Sequence, residues 1–152
     1  MKRIWCSFIF IGLLASPAAA QDDMMEIPDA ATSTPLSEDE LTRVFTDQTH
    51  RGTYNFQRKD VNTFSFTERT TKDGRTRHVH GDKVDTGDWR IGGDLICFNY
   101  ETAVNFGACF HIYQQGNCYY HYVLDRNAPN GGRFTARTVI AGERPSCEPS
   151  MS

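Results

Sequence analysis

The sequence predicts a mainly β domain, an antiparallel up-and-down barrel of about eight short strands preceded by one short helix. Three observations carry that expectation. After Gly52 apolar residues recur at every second position, in runs separated by turns rich in Gly, Asn and Asp. Before Gly52, Leu41, Val44 and Phe45 recur at helical spacing. Finally, Cys97, Cys109, Cys118 and Cys147 follow a segment that reads as an export signal, which would place them where disulfides form and persist.

That signal comes first along the chain. Lys2 and Arg3 form a basic start, Ile4 to Leu14 an apolar stretch, and Ala18-Ala19-Ala20 before Gln21 a small-residue cleavage site. The apolar stretch is shorter than the ~20 residues that span a bilayer as a helix, and no later segment approaches that length. The expected product is a soluble chain in the periplasm or the medium, beginning near Gln21. Cys6 leaves with residues 1–20 and precedes the end of the apolar stretch, so no lipid anchor is expected. Of sixteen Lys and Arg, Lys2 and Arg3 are lost while all nineteen Asp and Glu remain, which leaves fourteen against nineteen, a net −5. That acidity disfavours nucleic acid as a partner, since neutralising phosphates takes a concentrated basic face.

Gln21 to Pro35 lacks apolar periodicity and reads as a solvated, flexible leader. A single domain is expected over 36–148. Ser37 followed by Glu40 is a capping box, and the helix behind it spans roughly Ser37 to Asp47. Strands are expected at Thr53–Gln57, Thr63–Thr67, Thr76–His80, Thr86–Ile91, Leu95–Tyr100, Ala108–Tyr113, Cys118–Leu124 and Arg133–Ile140. Asp73-Gly74, Gly92-Gly93-Asp94 and Gln114 to Asn117 supply turns between them. Closing such a meander removes its exposed edges.

Those turns set an expected register in which Ile112 lies opposite Tyr119, Phe110 opposite His121 and His111 opposite Tyr120. One face then carries Ile96, Phe98, Phe110, Ile112, Tyr119 and Val123 and is the core side. The other carries Cys97, Cys109, His111, Tyr113, Cys118, Tyr120 and Tyr122. Four cysteines allow three connectivities. A hairpin centred near Ala103 favours Cys97 with Cys109, leaving Cys118 for Cys147, while Cys109 with Cys118 is the competing pairing.

Candidate chemistry is sparse. His78 and His80 project from one face of a strand, as zinc and copper sites require, and the same pattern fits an exposed polar strand alternating around Val79. Cys109-x-His111 and Cys118-x-x-His121 have soft-metal spacing, but thiols in an oxidising compartment pair with each other. No nucleophile elbow of the form Gly-x-Ser-x-Gly occurs. Asp82, Asp85, Asp88 and Asp94 read as turn residues and lack the spacing of a calcium loop. No catalytic residue, metal ligand or cofactor is therefore assigned. For a cavity inside the barrel, Trp89, His111, Tyr113, Tyr120 and Tyr122 are the expected lining.

Several segments also carry a resemblance. Leu36-Ser37-x-x-Glu40-Leu41, Arg51-Gly52-Thr53-Tyr54, the Asp73-Gly74 turn, Asp88-Trp89-Arg90-Ile91-Gly92-Gly93-Asp94-Leu95-Ile96-Cys97-Phe98, and Cys109 with the Tyr113 to Tyr119 hairpin resemble a family of small exported proteins of unknown function from alphaproteobacteria. The resemblance implies a lipocalin-like barrel and an exported address, with no activity attached.

Three functions follow as expectations. The first is an exported non-enzymatic binding module for an unknown small ligand or protein partner. The second is a periplasmic inhibitor or interaction module that acts by its surface, with the acidic leader as an insertable arm. The third is a metal-binding protein using His78 and His80.

Overall fold

The computed structural model describes residues 27–30, 32–56, 61–101, 107–124 and 132–147. The export signal expected over residues 1–20 lies outside them. One helix and eight strands follow in chain order: α1 (Glu38–Phe45), β1 (Thr49–Tyr54), β2 (Ser65–Thr70), β3 (Arg75–His80), β4 (Lys83–Gly92), β5 (Leu95–Tyr100), β6 (Ala108–Gln115), β7 (Cys118–Leu124) and β8 (Gly132–Ile140). Each strand pairs antiparallel with the next and β8 returns to β1, which closes an eight-stranded up-and-down barrel as the sequence predicts.

The helix begins where the capping box places it. The Glu40 carboxylate accepts from the Ser37 backbone N–H at 2.9 Å and from its hydroxyl at 2.7 Å, and Glu38, Asp39 and Glu40 complement the dipole in the first turn. Leu41, Val44 and Phe45 then plug one end of the barrel against Ile96, Phe98, Ile112 and Tyr119.

The interior is divided. Strands β5 to β7 supply an apolar wall, Ile96, Phe98, Phe110, Ile112 and Tyr119, as the alternation predicts. Strands β1 to β4 supply a polar one: His50, Glu68, Thr70, Thr76, His78, His80 and Asp85 are all buried. This division explains why β1 and β2 lie away from their predicted limits. The inward positions of β1 are His50, Gly52 and Tyr54, and those of β2 are Phe66, Glu68 and Thr70, so the apolar signal of an inner face is reduced there to Phe66 and the Tyr54 ring. It also inverts one expectation. His78 and His80 are 1% and 0% exposed, and β3 is no exposed polar strand around Val79.

The β6–β7 hairpin corrects the expected register by two residues. Ile112 pairs with His121 and Phe110 with Val123, because β6 runs on to Gln115 and turns tightly through Gly116, at φ 59°. A two-residue shift preserves the faces. Cys97 stands directly opposite Cys109 across β5 and β6. The bonded pairs are Cys97–Cys109 and Cys118–Cys147, the preferred connectivity, and the second ties the C-terminal tail to β7.

Gly87 sits where β4 passes close to the backbone of β5. A Cβ there would meet the Asn99 carbonyl oxygen at 2.0 Å and the Tyr100 Cα at 2.8 Å. Both obstacles are backbone of the paired strand, which cannot swing aside as a side chain would. Gly87→Ala is expected to cost at least ~2 kcal/mol, the range of an overpacked core. Urea unfolding checks this, and an unchanged midpoint would refute the close approach.

Candidate functional site

The polar wall is organised around one carboxylate. Glu68 is 6% exposed. Its Oε2 accepts from the Tyr100 hydroxyl at 2.6 Å and lies 2.7 Å from His78 Nδ1, while its Oε1 accepts from the Thr76 hydroxyl. Glu68 only accepts in this set, so the network assigns the His78 proton to Nδ1, and Nε2 faces the Tyr54 hydroxyl at 3.3 Å. The neighbouring His80 donates from Nε2 to the Thr63 carbonyl at 2.6 Å. Burial, and after it the charge of Glu68, pushes the Tyr100 phenol well above its usual range, which keeps it a donor.

The order Tyr54, His78, Glu68 is that of a hydroxyl, a base and an orienting carboxylate. Its terminal hydroxyl nevertheless belongs to a ring packed on Phe66 at 4.4 Å and on Phe56 and His80 at 5.1 Å each. His78 has both ring nitrogens engaged, and its centroid lies 6.2 Å from that of His80. Among the described residues no three His, Cys, Asp or Glu side chains group as a metal site.

A second pair of imidazoles lies beside the helix plug. His50 stacks on Phe45 at 4.5 Å with Nε2 3.1 Å from the Val44 carbonyl, and its Nδ1 has no hydrogen-bond partner. His121 Nε2 lies 2.9 Å from the Thr138 hydroxyl, and its ring meets Phe45 and Phe110 edge-on. Burial lowers both pKa values. For His121, burial and then the like charge of His50 bring it to about 3.

The five residues expected to line an inner cavity are not brought together. Trp89 turns inward, packs on the apolar core and donates its indole N–H to the Thr71 carbonyl at 2.9 Å. Tyr113, Tyr120 and Tyr122 form an outer cluster with Cys118, Val139 and Cys147. His111 is also outward, its Nδ1 3.4 Å from Asp94 Oδ2. The expected flexible leader covers part of this cluster: Ala30 packs against it and the Tyr122 hydroxyl donates to the Pro28 carbonyl, while at the start of the domain the Leu36 N–H donates to the Ile112 carbonyl at 2.7 Å. Residues 21–26 and 31 lie outside the described residues.

Sequence reasoning left Tyr54, Glu68, Thr76 and Tyr100 without a role. One signal pointed to them: Phe66-x-Glu68-x-Thr70 and Thr76-x-His78-x-His80 each run along one face, and the apolar Phe66 marks that face as inner.

Two concavities, each of about 480 Å³, open on the outside of the barrel. The first crosses β8, β1, β2 and β3 and is walled by Arg51, Thr53, Thr67, Val79, Arg137 and Pro145. The second lies over the Cys97–Cys109 bridge, between Asp88, Arg90 and Asn99. The two disulfides, and the lack among the described residues of a helix long and apolar enough to cross a membrane, are compatible with an exported protein. Compared with family models, with curated proteins and with solved structures, the chain has no match in any of the three.

The buried imidazoles predict acid sensitivity. His121 titrates near 6.5 when unfolded and near 3 when folded, so on acidification the unfolded chain takes up its proton first. Stability is therefore expected to fall as pH drops from about 6.5, with a slope of up to ~1.4 kcal/mol per pH unit for each such group. Urea midpoints at successive pH values measure it. Imidazole nitrogen shifts showing His121 charged in the folded protein at pH 5 would overturn it.

Proposed function

We propose that this chain is an exported, non-enzymatic binding module that recognises a partner with its outer surface, in the periplasm or the medium. One observation carries the reading. The Tyr100–Glu68 bond of 2.6 Å joins β5 to β2 across the interior, so little room is left for a guest at that level. The α1 plug fills one end, and His80, held by the Thr63 carbonyl, packs at the other. Eight-stranded barrels either hold one small ligand or fill themselves with side chains, and these contacts support the second case.

The concavities supply the positive side. Both are lined mostly by residues that are not buried, with Phe66, Thr138 and Val139 in the first and Phe98 in the second as the buried members of the lining. The metal reading loses support because the His78 nitrogens already have partners. The insertable-arm reading loses support because Pro28 and Ala30, within the leader, are engaged with the barrel. The resemblance to small exported alphaproteobacterial proteins fits this reading and adds no activity to it.

Trp89 allows a direct test. It faces the interior, and after loss of residues 1–20 it is the sole tryptophan. Palmitate and anilinonaphthalene sulfonate, each in large excess, are expected to leave Trp89 emission and the melting temperature unchanged. Saturable quenching accompanied by a raised Tm would restore an interior ligand and end the surface reading.

A further inference from the structure

The outward side chains of β8, β1, β2 and β3 are unusually basic for a chain whose net charge is −3. Arg51 and Arg137 flank the groove across these strands, and Arg69 and Arg77 extend the same outer rows. Arg69 and Arg77 are exposed and paired directly opposite each other across β2 and β3. Like charges placed directly opposite destabilise a sheet. The nearby acids Asp88 and Glu101 are taken by Arg75 and do not offset Arg69 and Arg77, while Arg51 donates to the Glu143 carbonyl. An uncompensated like-charge pair on an acidic protein is poor for folding and well suited to an anionic partner.

The groove between the arginines narrows the choice. Its floor and walls mix the hydroxyls of Thr53, Ser65 and Thr67 with recessed Val79, Val139 and Pro145. Recessed apolar side chains do not reach into a lipid surface, whereas they do accept side chains of an inserted segment. The closed barrel has no free edge, so a segment cannot join as a ninth strand and must be read by side chains. We infer that this face binds an extended acidic segment of a partner protein, with its carboxylates on Arg51, Arg69 and Arg77 and its apolar residues over Val79 and Val139. The inference rests on the surface reading above and adds the chemistry of the partner.

The probe is a fluorescein-labelled peptide alternating Asp and Val, read by anisotropy on the mature protein, with an Asn-for-Asp peptide for comparison. The Asp peptide is expected to bind at least ~10-fold more tightly than the Asn peptide and to weaken steeply with salt. Arg69→Gln with Arg77→Gln, and separately Arg51→Gln, should each lose ~10-fold, while Arg43→Gln on α1 should lose nothing. Arg69→Glu with Arg77→Glu should shift preference to a Lys-Val peptide, an exchange that a misfolded variant could not produce. Without peptide, Arg77→Gln should raise Tm by about 1–3 °C, since it relieves the repulsion. Equal binding of the Asp and Asn peptides, or no effect of the arginine variants, sinks the inference. So does sedimentation with phosphatidylglycerol vesicles in the absence of peptide binding. If these fail while Trp89 stays silent to lipophiles, the acidic-segment inference falls alone; if Trp89 responds saturably, the surface reading falls with it.

Discussion

The Glu68 carboxylate is the constraint around which the rest of the interior is arranged. Taking such a group out of water costs several kcal/mol unless its lone pairs are filled. Three side chains fill them here: Tyr100, His78 and Thr76. Each belongs to a different level or strand of the barrel, so satisfying one carboxylate fixes the tautomer of His78, the rotamer of Tyr100 and the register of β2 on β3. The same bonds draw β5 towards β2 and occupy the volume that a ligand would need. A polar core of this kind does not add stability over a well-packed apolar one; it specifies one arrangement, because any other leaves a charge without partners.

Much of this fold is legible in the sequence, and what is not has a common cause. The capping box at Ser37 and Glu40, the Asp73-Gly74 turn and the apolar alternation of β5 to β7 act locally, so they can be read without tertiary context. The Cys97–Cys109 pairing is favoured by a hairpin between β5 and β6, with Cys109–Cys118 as its competitor, and the two cysteines stand directly opposite each other. Legibility fails on β1 to β3, where the inner face carries Gly, Glu, Thr and His in place of apolar residues. Alternation marks which residues share a face, but only hydrophobicity says which face is inner. On β3 that rule points the wrong way, because Val79 is outside and His78 and His80 are inside. The tyrosines fail for the complementary reason. Tyr113, Tyr120 and Tyr122 are buried on the outer side by the arm and the C-terminal tail, and such cover cannot be anticipated from strand periodicity.

The two stapled regions and the basic face occupy different parts of the barrel. Cys97–Cys109 closes β5 on β6, and Cys118–Cys147 fastens the tail to β7. Cross-links of this kind act mainly on the unfolded chain, by about 3 kcal/mol for loops of such length. No disulfide touches β1, β2 or β3, so their order depends on the closure of the barrel and on the polar network inside it.

Strand geometry then ties the inside to the outside. Neighbouring residues of a strand point to opposite faces, so Glu68 and Arg69 are fixed by one stretch of backbone, as are Arg77 and His78. The pairing that lets His78 reach Glu68 is the pairing that sets Arg69 against Arg77, since both follow from the single register of β2 on β3. A slip by one residue would exchange the faces, exposing the carboxylate and burying two guanidiniums, at a cost far beyond that of the like-charge contact. The inner network therefore holds in place an outer repulsion that the sheet alone would not favour. The spacing of the arginines is set from within the barrel, where no partner can disturb it.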